Sequence, residues 1–83
     1  EPGGNISDIV FDPADPTLMY VADRRSGVYR SDDSGQSWIR INDGLRTRAV
    51  QALAISADGS TLYAATEGEG VFRLQTAGLG DAG

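Results

Sequence analysis

The chain contains no cysteine, no histidine and no lysine among its 83 residues. Without cysteine it can form neither disulfides nor thiolate metal sites, and cysteine nucleophiles are excluded. Without histidine it lacks the commonest metal ligand and the commonest general base, so a Ser-His-Asp triad cannot be built from it. No apolar run approaches the roughly 20 residues that cross a bilayer, so no membrane insertion is expected.

Positive charge is also scarce. Seven arginines stand against twelve acidic residues, which gives a net charge of −5 and a pI of about 4.3. Proteins that bind nucleic acid usually carry the opposite sign on the binding face, so nucleic acid is not an expected partner. No cofactor or metal ligand set is indicated. A chain of this length forms one small domain at most.

What the sequence does contain is a series of short apolar runs bounded by Gly, Pro and Asp. Such runs predict strands rather than helices, whose apolar residues would recur at steps of three and four. The predicted strands cover residues 5–11 (with an irregularity near Asp8), 17–22, 27–30, 38–41, 50–56, 61–66 and 70–74.

The strands repeat internally. GVYR at 27–30 returns as GVFR at 70–73, YVA at 20–22 returns as YAA at 63–65, and IVF at 9–11 returns as LAI at 53–55. The period of roughly 43 residues lies in the range of four-stranded propeller blades. The prediction is an all-β fold of about two consecutive four-stranded antiparallel meanders, at 5–45 and 46–74, the second incomplete. Residues 1–4 are predicted to be a flexible lead-in and 75–83 a flexible tail.

The octet SDDSGQSW at 31–38 separates the third and fourth predicted strands. Its aspartate Asp33 can accept backbone N–H bonds within the turn, and Gly35 can adopt a positive φ at low cost. The Ser31 and Ser37 hydroxyls can satisfy further backbone groups. Trp38 begins the outer strand, where its ring can fill the gap between neighbouring sheets. We interpret the octet as a structural turn rather than a catalytic or calcium site, because calcium needs several oxygen ligands at defined spacing.

This octet and its flanks resemble the Asp-box, or BNR-type, β-propeller repeats, and the octet matches their pattern at every defined position. The resemblance covers about residues 5–74. Such repeats occur in sialidases, oligoxyloglucan-cleaving glycosidases, sortilin-like receptors and photosystem assembly factors. The resemblance therefore implies a fold more specifically than an activity. It favours an extracellular or periplasmic location, which nothing else in the sequence assigns.

Carboxylates are the remaining candidates for chemistry, because glycoside hydrolysis needs two of them at a defined separation. Asp8, inside the innermost strand, and Asp23, in a loop, are weak catalytic candidates. The pair Arg24-Arg25 could bind a carboxylate or sulfate, although a solvated loop explains it as well. Four further aspartates outside the octet are interpreted as turn formers; they are Asp12, Asp15, Asp43 and Asp58.

The function expected from these observations is that of a non-catalytic structural and interaction module with a protein or glycan partner. Residues 74–80 carry no second octet, and two blades do not close a ring of typically 4–8. The expected partners therefore include further blades or other copies of the chain, three of which would give six blades and four of which would give eight. The alternatives are a fragment of a secreted sialidase- or xyloglucanase-like hydrolase, and a designed or shuffled repeat without an evolved ligand.

Overall fold

The computed structural model describes residues 4–41, 45 and 47–76, and the predicted all-β fold is confirmed. In this part of the chain no helix is long and apolar enough to cross a membrane. The strands are β1 (Ile6–Phe11), β2 (Met19–Asp23), β3 (Gly27–Ser31), β4 (Ile39–Arg40), β5 (Val50–Ile55), β6 (Thr61–Thr66) and β7 (Val71–Gln75).

The strands form two antiparallel meanders. The first sheet has the order β1-β2-β3-β4, and the second sheet has the order β5-β6-β7 among the described residues. Each hairpin joins strands that are neighbours in sequence, as expected for short strands separated by turns rich in Gly, Asp and Ser.

The internal repeat is visible in the strand register. The pairing of β1 with β2 is irregular between Ile6 and Asp8, and the pairing of β5 with β6 is irregular between Val50 and Ala52. The irregularity predicted near Asp8 is therefore present, and the second sheet has one at the equivalent place. A bulge at the same position twists both first strands in the same way. Strands β1–β3 and strands β5–β7 thus share their order, their register and a local irregularity.

The two sheets pack face to face, with β5 lying against β1 and β2. Alternation along each strand sends one set of side chains into this contact and the other set away from it. The buried cluster draws residues from both sheets: Tyr20, Ala22, Val28 and Ile41, with Val50, Leu53, Leu62, Ala64 and Leu74. We call the faces in this contact the inner faces of the sheets, and the opposite faces their outer faces.

Four strands are shorter than predicted: β1 begins at Ile6 rather than at residue 5, β5 ends at Ile55 rather than at residue 56, and the other two are β2 and β4. β2 begins at Met19 rather than at Thr17, whose N–H and hydroxyl both donate to Asp15 Oδ1, at 3.0 and 2.7 Å. β4 covers only Ile39–Arg40 rather than 38–41. Ile41 nevertheless donates its N–H to the Val28 carbonyl at 2.9 Å, so the chain continues alongside β3.

The last strand lies one residue further along the chain than predicted, at Val71–Gln75 rather than at 70–74. β7 includes Gln75, which the sequence assigned to the tail, and the Thr76 N–H donates to the Ser60 carbonyl at 2.9 Å. The predicted lead-in residues 1–3, the turn at 42–44 and the tail from 77 lie outside the described residues.

Candidate functional site

The octet folds as a turn closed by its own side chains. The Asp33 carboxylate accepts three bonds: from the Ser31 hydroxyl at 2.8 Å, from the Ser37 N–H at 2.9 Å and from the Ser37 hydroxyl at 2.5 Å. These donors, the Ser37 hydroxyl first, lower the pKa of Asp33 from its ordinary 3.8 to about 2. Asp33 is therefore a firmly ionised acceptor, not a group that carries a proton near neutral pH.

Ser31 is the buried member of the same turn. Its oxygen accepts the Gly35 N–H at 2.8 Å and the Asp33 N–H at 3.4 Å while its hydroxyl donates to Asp33. The turn passes through two left-handed residues, Ser34 with φ 63° and Gly35 with φ 90°. The second of these is a glycine, which adopts such a φ without the steric cost of a Cβ. Ser31, Asp33 and Gly35 thus make the contacts predicted for them, whereas the Ser37 hydroxyl donates to the Asp33 carboxylate rather than to a backbone group.

The Trp38 ring lies over the turn of the octet. Its indole N–H donates to the Gly35 carbonyl at 3.0 Å, and a Cβ added at Gly35 would lie 3.4 Å from Cζ2 of the ring. The ring therefore covers the turn that precedes it. It is not among the residues packed into the core between the two described sheets, and the prediction that it fills a gap between neighbouring sheets stays a prediction.

The β5–β6 turn is held by the same kind of aspartate–serine hydrogen bonds. The sequence interpretation assigned Asp58 to a turn but did not predict its bonds to the two serines. Asp58 Oδ1 accepts the Ser56 hydroxyl and the Ser60 hydroxyl, both at 2.7 Å, and the Ser60 N–H at 3.0 Å. These donors lower the pKa of Asp58 to about 2. The only signal in the sequence is the spacing Ser-x-Asp, which this turn shares with the octet.

Three turns rich in aspartate meet at one end of the molecule, which we call the acidic end. The Ser34 N–H of the β3–β4 turn donates to the Thr17 carbonyl of the β1–β2 turn at 3.0 Å. The β5–β6 turn approaches the β1–β2 turn so closely that a Cβ added at Gly59 would lie 2.6 Å from Asp12 Oδ2. The turn positions predicted for Asp12, Asp15 and Asp58 are confirmed, whereas Asp43 lies outside the described residues. Asp12 Oδ1 accepts the Ala14 N–H at 2.8 Å.

The two weak catalytic candidates do not face each other. Asp8 pairs in register with Ala22, and Asp23 follows Ala22 along β2, so the two carboxylates leave opposite faces of the first sheet. Asp8 Oδ2 accepts the Leu53 N–H of the second sheet at 2.8 Å, and its Oδ1 accepts the Ile9 N–H at 2.9 Å. Asp8 therefore joins the two sheets.

Asp23 closes the β2–β3 turn. It is buried, and its Oδ1 accepts the Arg25 N–H at 2.8 Å and the Ser26 N–H at 2.9 Å. Aspartate commonly supports a turn in this way, by accepting N–H groups two and three residues further on.

An open cavity of about 220 Å³ lies where β5 begins, at the end of the molecule opposite the acidic end. It is lined by Arg24, Ala49, Gln51 and Glu67, which come from three segments: the β2–β3 turn, the start of β5 and the β6–β7 turn. A guanidinium, an amide and a carboxylate thus surround one space. The sequence interpretation considered Arg24 as an anion-binding residue, but it missed Gln51 and Glu67, which only the stacking of the sheets brings near it.

The described residues contain no group of three or more Asp or Glu side chains that could hold a metal ion. Comparison of the sequence with protein-family models and with curated proteins finds no match.

Proposed function

We propose that this chain is a non-catalytic β-propeller repeat module of the Asp-box type, a structural scaffold that presents its surface to a protein or glycan partner. One observation carries the proposal: the candidate carboxylates are engaged in holding the fold. Asp33 closes the β3–β4 turn, Asp8 joins the sheets and Asp23 closes the β2–β3 turn. The repeated meander with its repeated bulge supports the blade-like architecture.

The carboxylates suit glycoside hydrolysis poorly. That reaction needs two of them on either side of one sugar bond, and the general acid needs a raised pKa. Asp8 and Asp23 leave opposite faces of the first sheet. The pKa values of Asp33 and Asp58 are shifted downward, which is the wrong direction for a proton donor.

The cavity at the start of β5 is the favoured contact point for a partner. Its charged and amide groups can exchange hydrogen bonds with sugar hydroxyls or with a polar peptide segment. At about 220 Å³ it is smaller than the roughly 300–1,000 Å³ of ordinary small-molecule pockets. It therefore suits one terminal sugar, or one side chain, of a larger partner.

A turnover assay tests the non-catalytic part of the proposal. The purified chain is incubated with fluorogenic sialosides and with xyloglucan oligosaccharides, and we expect no release above the buffer control. The variants Asp8→Asn and Asp23→Asn should instead melt at lower temperatures than the parent chain. Turnover that disappears in either variant would refute the proposal and establish the hydrolase alternative.

Binding through the cavity is tested on a glycan array and by pull-down with candidate proteins. Arg24→Ala should lower at least tenfold the affinity for any glycan or protein that the parent chain retains. Arg25→Ala is the matched control, because Arg25 is an exposed arginine of the same turn that does not line the cavity. Equal losses in the two variants would point to general charge attraction and would contradict a contact at the cavity.

A further inference from the structure

Both outer faces of the sheets expose apolar side chains. On the first sheet these are Ile6, Ile9 and Phe11, all from β1, and Phe11 is 53% exposed. On the second sheet they are Tyr63 and Val71, and Val71 is 66% exposed. Among the described residues, these five make up all but one of the large exposed hydrophobic side chains. Exposed apolar patches of this kind mark interaction surfaces.

The repeat shows what the outer face of the first sheet is built to contact. Ile6 and Ile9 hold the same places in β1 that Val50 and Leu53 hold in β5, as the two bulges show. Val50 and Leu53 are buried against the first sheet, whereas Ile9 is 47% exposed. The same side-chain pattern is therefore covered in one sheet and open in the other.

The outer face of the second sheet likewise repeats the inner face of the first sheet. Tyr63 and Val71 hold the places in β6 and β7 that Tyr20 and Val28 hold in β2 and β3. Tyr20 and Val28 are fully buried in the core between the sheets. Each outer face thus repeats the inner face of the other sheet, and the inner faces already fit each other.

We propose that a second copy of this chain packs the outer face of its β5–β7 sheet onto the outer face of the β1–β4 sheet, repeating between chains the contact that joins the two sheets within one chain. The inference rests on the proposed scaffold function and names its partner. The two surfaces differ, so the contact is head-to-tail rather than symmetric.

The polar groups at the edge of this contact are compatible with it. Within one chain, the Asp8 carboxylate of the first sheet accepts a hydrogen bond from the Leu53 N–H of the second sheet. In the contact between copies, Ala52 stands at the place of Asp8, and Ile9 stands at the place of Leu53. The Ile9 N–H already has a partner, Asp8 Oδ1 at 2.9 Å. Burying it beneath an alanine therefore leaves no donor unsatisfied.

Head-to-tail contacts either close into rings or extend into filaments, depending on the rotation between neighbours. Propellers close with typically 4–8 sheets. Since each chain supplies two sheets, we expect closed rings of two to four copies.

Two charge substitutions test both the contact and its polarity. Phe11→Asp blocks only the outer face of the first sheet, and Val71→Asp blocks only that of the second. By light scattering at matched concentration, the parent chain should have the mass of two to four copies, and each variant alone should be monomeric. An equimolar mixture should form a one-to-one dimer, because Phe11→Asp retains the intact second-sheet face and Val71→Asp retains the intact first-sheet face.

Ile39→Asp is the matched control. Ile39 is also exposed and apolar, but it pairs in register with Arg30, which places it on the opposite side of the first sheet from Phe11. This variant should keep the mass of the parent chain. Circular dichroism establishes that each variant is folded, and Ile9→Lys with Tyr63→Lys supplies a second pair on the same two faces.

A parent chain that is folded and monomeric at about 100 µM would overturn the contact between copies. The scaffold proposal would survive that result, because its own test is the turnover assay. Association of either single variant into a symmetric dimer, or failure of the mixed variants to pair, would also overturn the head-to-tail contact. Turnover of a glycoside by a correctly assembled ring would refute the scaffold proposal and leave the contact intact.

Discussion

Replacing Ser31 with alanine removes one oxygen atom on which the β3–β4 turn depends. That oxygen accepts the Gly35 N–H at 2.8 Å and the Asp33 N–H at 3.4 Å, and its proton goes to the Asp33 carboxylate at 2.8 Å. Ser31 is almost fully buried. Water therefore cannot easily replace the missing hydroxyl, and we expect the variant to unfold at a markedly lower temperature.

The size of the effect follows from the two backbone donors. A typical hydrogen bond contributes about 1 kcal/mol to stability, and a buried donor left without a partner costs about 1–3 kcal/mol. The Gly35 bond has good length, whereas the 3.4 Å contact contributes less. The bond to the solvent-exposed carboxylate adds little. We therefore expect a loss of about 2 kcal/mol, which in a domain of this size lowers the melting temperature by roughly 8–16 °C.

The assay is thermal unfolding followed by circular dichroism, at one fixed protein concentration because association shifts apparent stability. Ser37→Ala is the control. Its hydroxyl is exposed and donates only to Asp33, and its backbone N–H keeps its bond. Its melting temperature should fall by well under half as much. Equal shifts in the two variants, or a Ser31→Ala variant that melts within about 2 °C of the parent, would refute the reasoning from burial.

Two further predictions concern the acidic end. The pKa values of Asp33 and Asp58 are lowered to about 2 by their hydrogen bonds. The stabilisation from these groups is therefore complete above the ordinary pKa near 3.8 and is lost as the pH falls toward 2. Between pH 7 and pH 2, the melting temperature of a variant with both Asp33→Asn and Asp58→Asn should fall less steeply than that of the parent chain. Equal slopes of melting temperature against pH would contradict this. Gly59→Ala should destabilise the chain more than Gly68→Ala. Both glycines have a positive φ, so both substitutions are strained. A Cβ at residue 59 would also lie 2.6 Å from Asp12 Oδ2, whereas a Cβ at residue 68 would have no atom within 4 Å. Denaturant unfolding of the two variants measures the difference, and equal losses would show that the contact is relieved without cost.

Much of the fold could be predicted because its determinants are local. Alternating apolar residues between Gly, Pro and Asp turns define strands, and the recurrence near 43 residues defines two similar sheets. The errors lie where a side chain outweighs the strand pattern. Trp38 is a strong strand former, yet its indole N–H bonds the Gly35 carbonyl and the residue belongs to the turn. Thr17 is β-branched, yet Asp15 holds both its N–H and its hydroxyl.

The features of the site that were missed depend on contacts distant in sequence. The bond between Asp8 and Leu53 spans 45 positions and exists only because the sheets stack. The cavity likewise draws on residues as far apart as Arg24 and Glu67. Spacing along a sequence does not reveal such distances. The octet was accessible to sequence reasoning because its side chains reach no further than four residues along the chain.

The two repeats satisfy the same turn in opposite ways. Where the first sheet turns from β2 to β3, Asp23 accepts two backbone N–H groups. At the equivalent place in the second sheet, Thr66 donates its hydroxyl to the Gly70 carbonyl at 2.7 Å. The apolar positions recur because the sheets must stack, whereas polar residues differ because a turn can be closed by either a donor or an acceptor. An aspartate in one repeat is thus one local solution among several. A carboxylate required for chemistry has no such substitute, and this is why Asp23 fits a scaffold better than a catalyst.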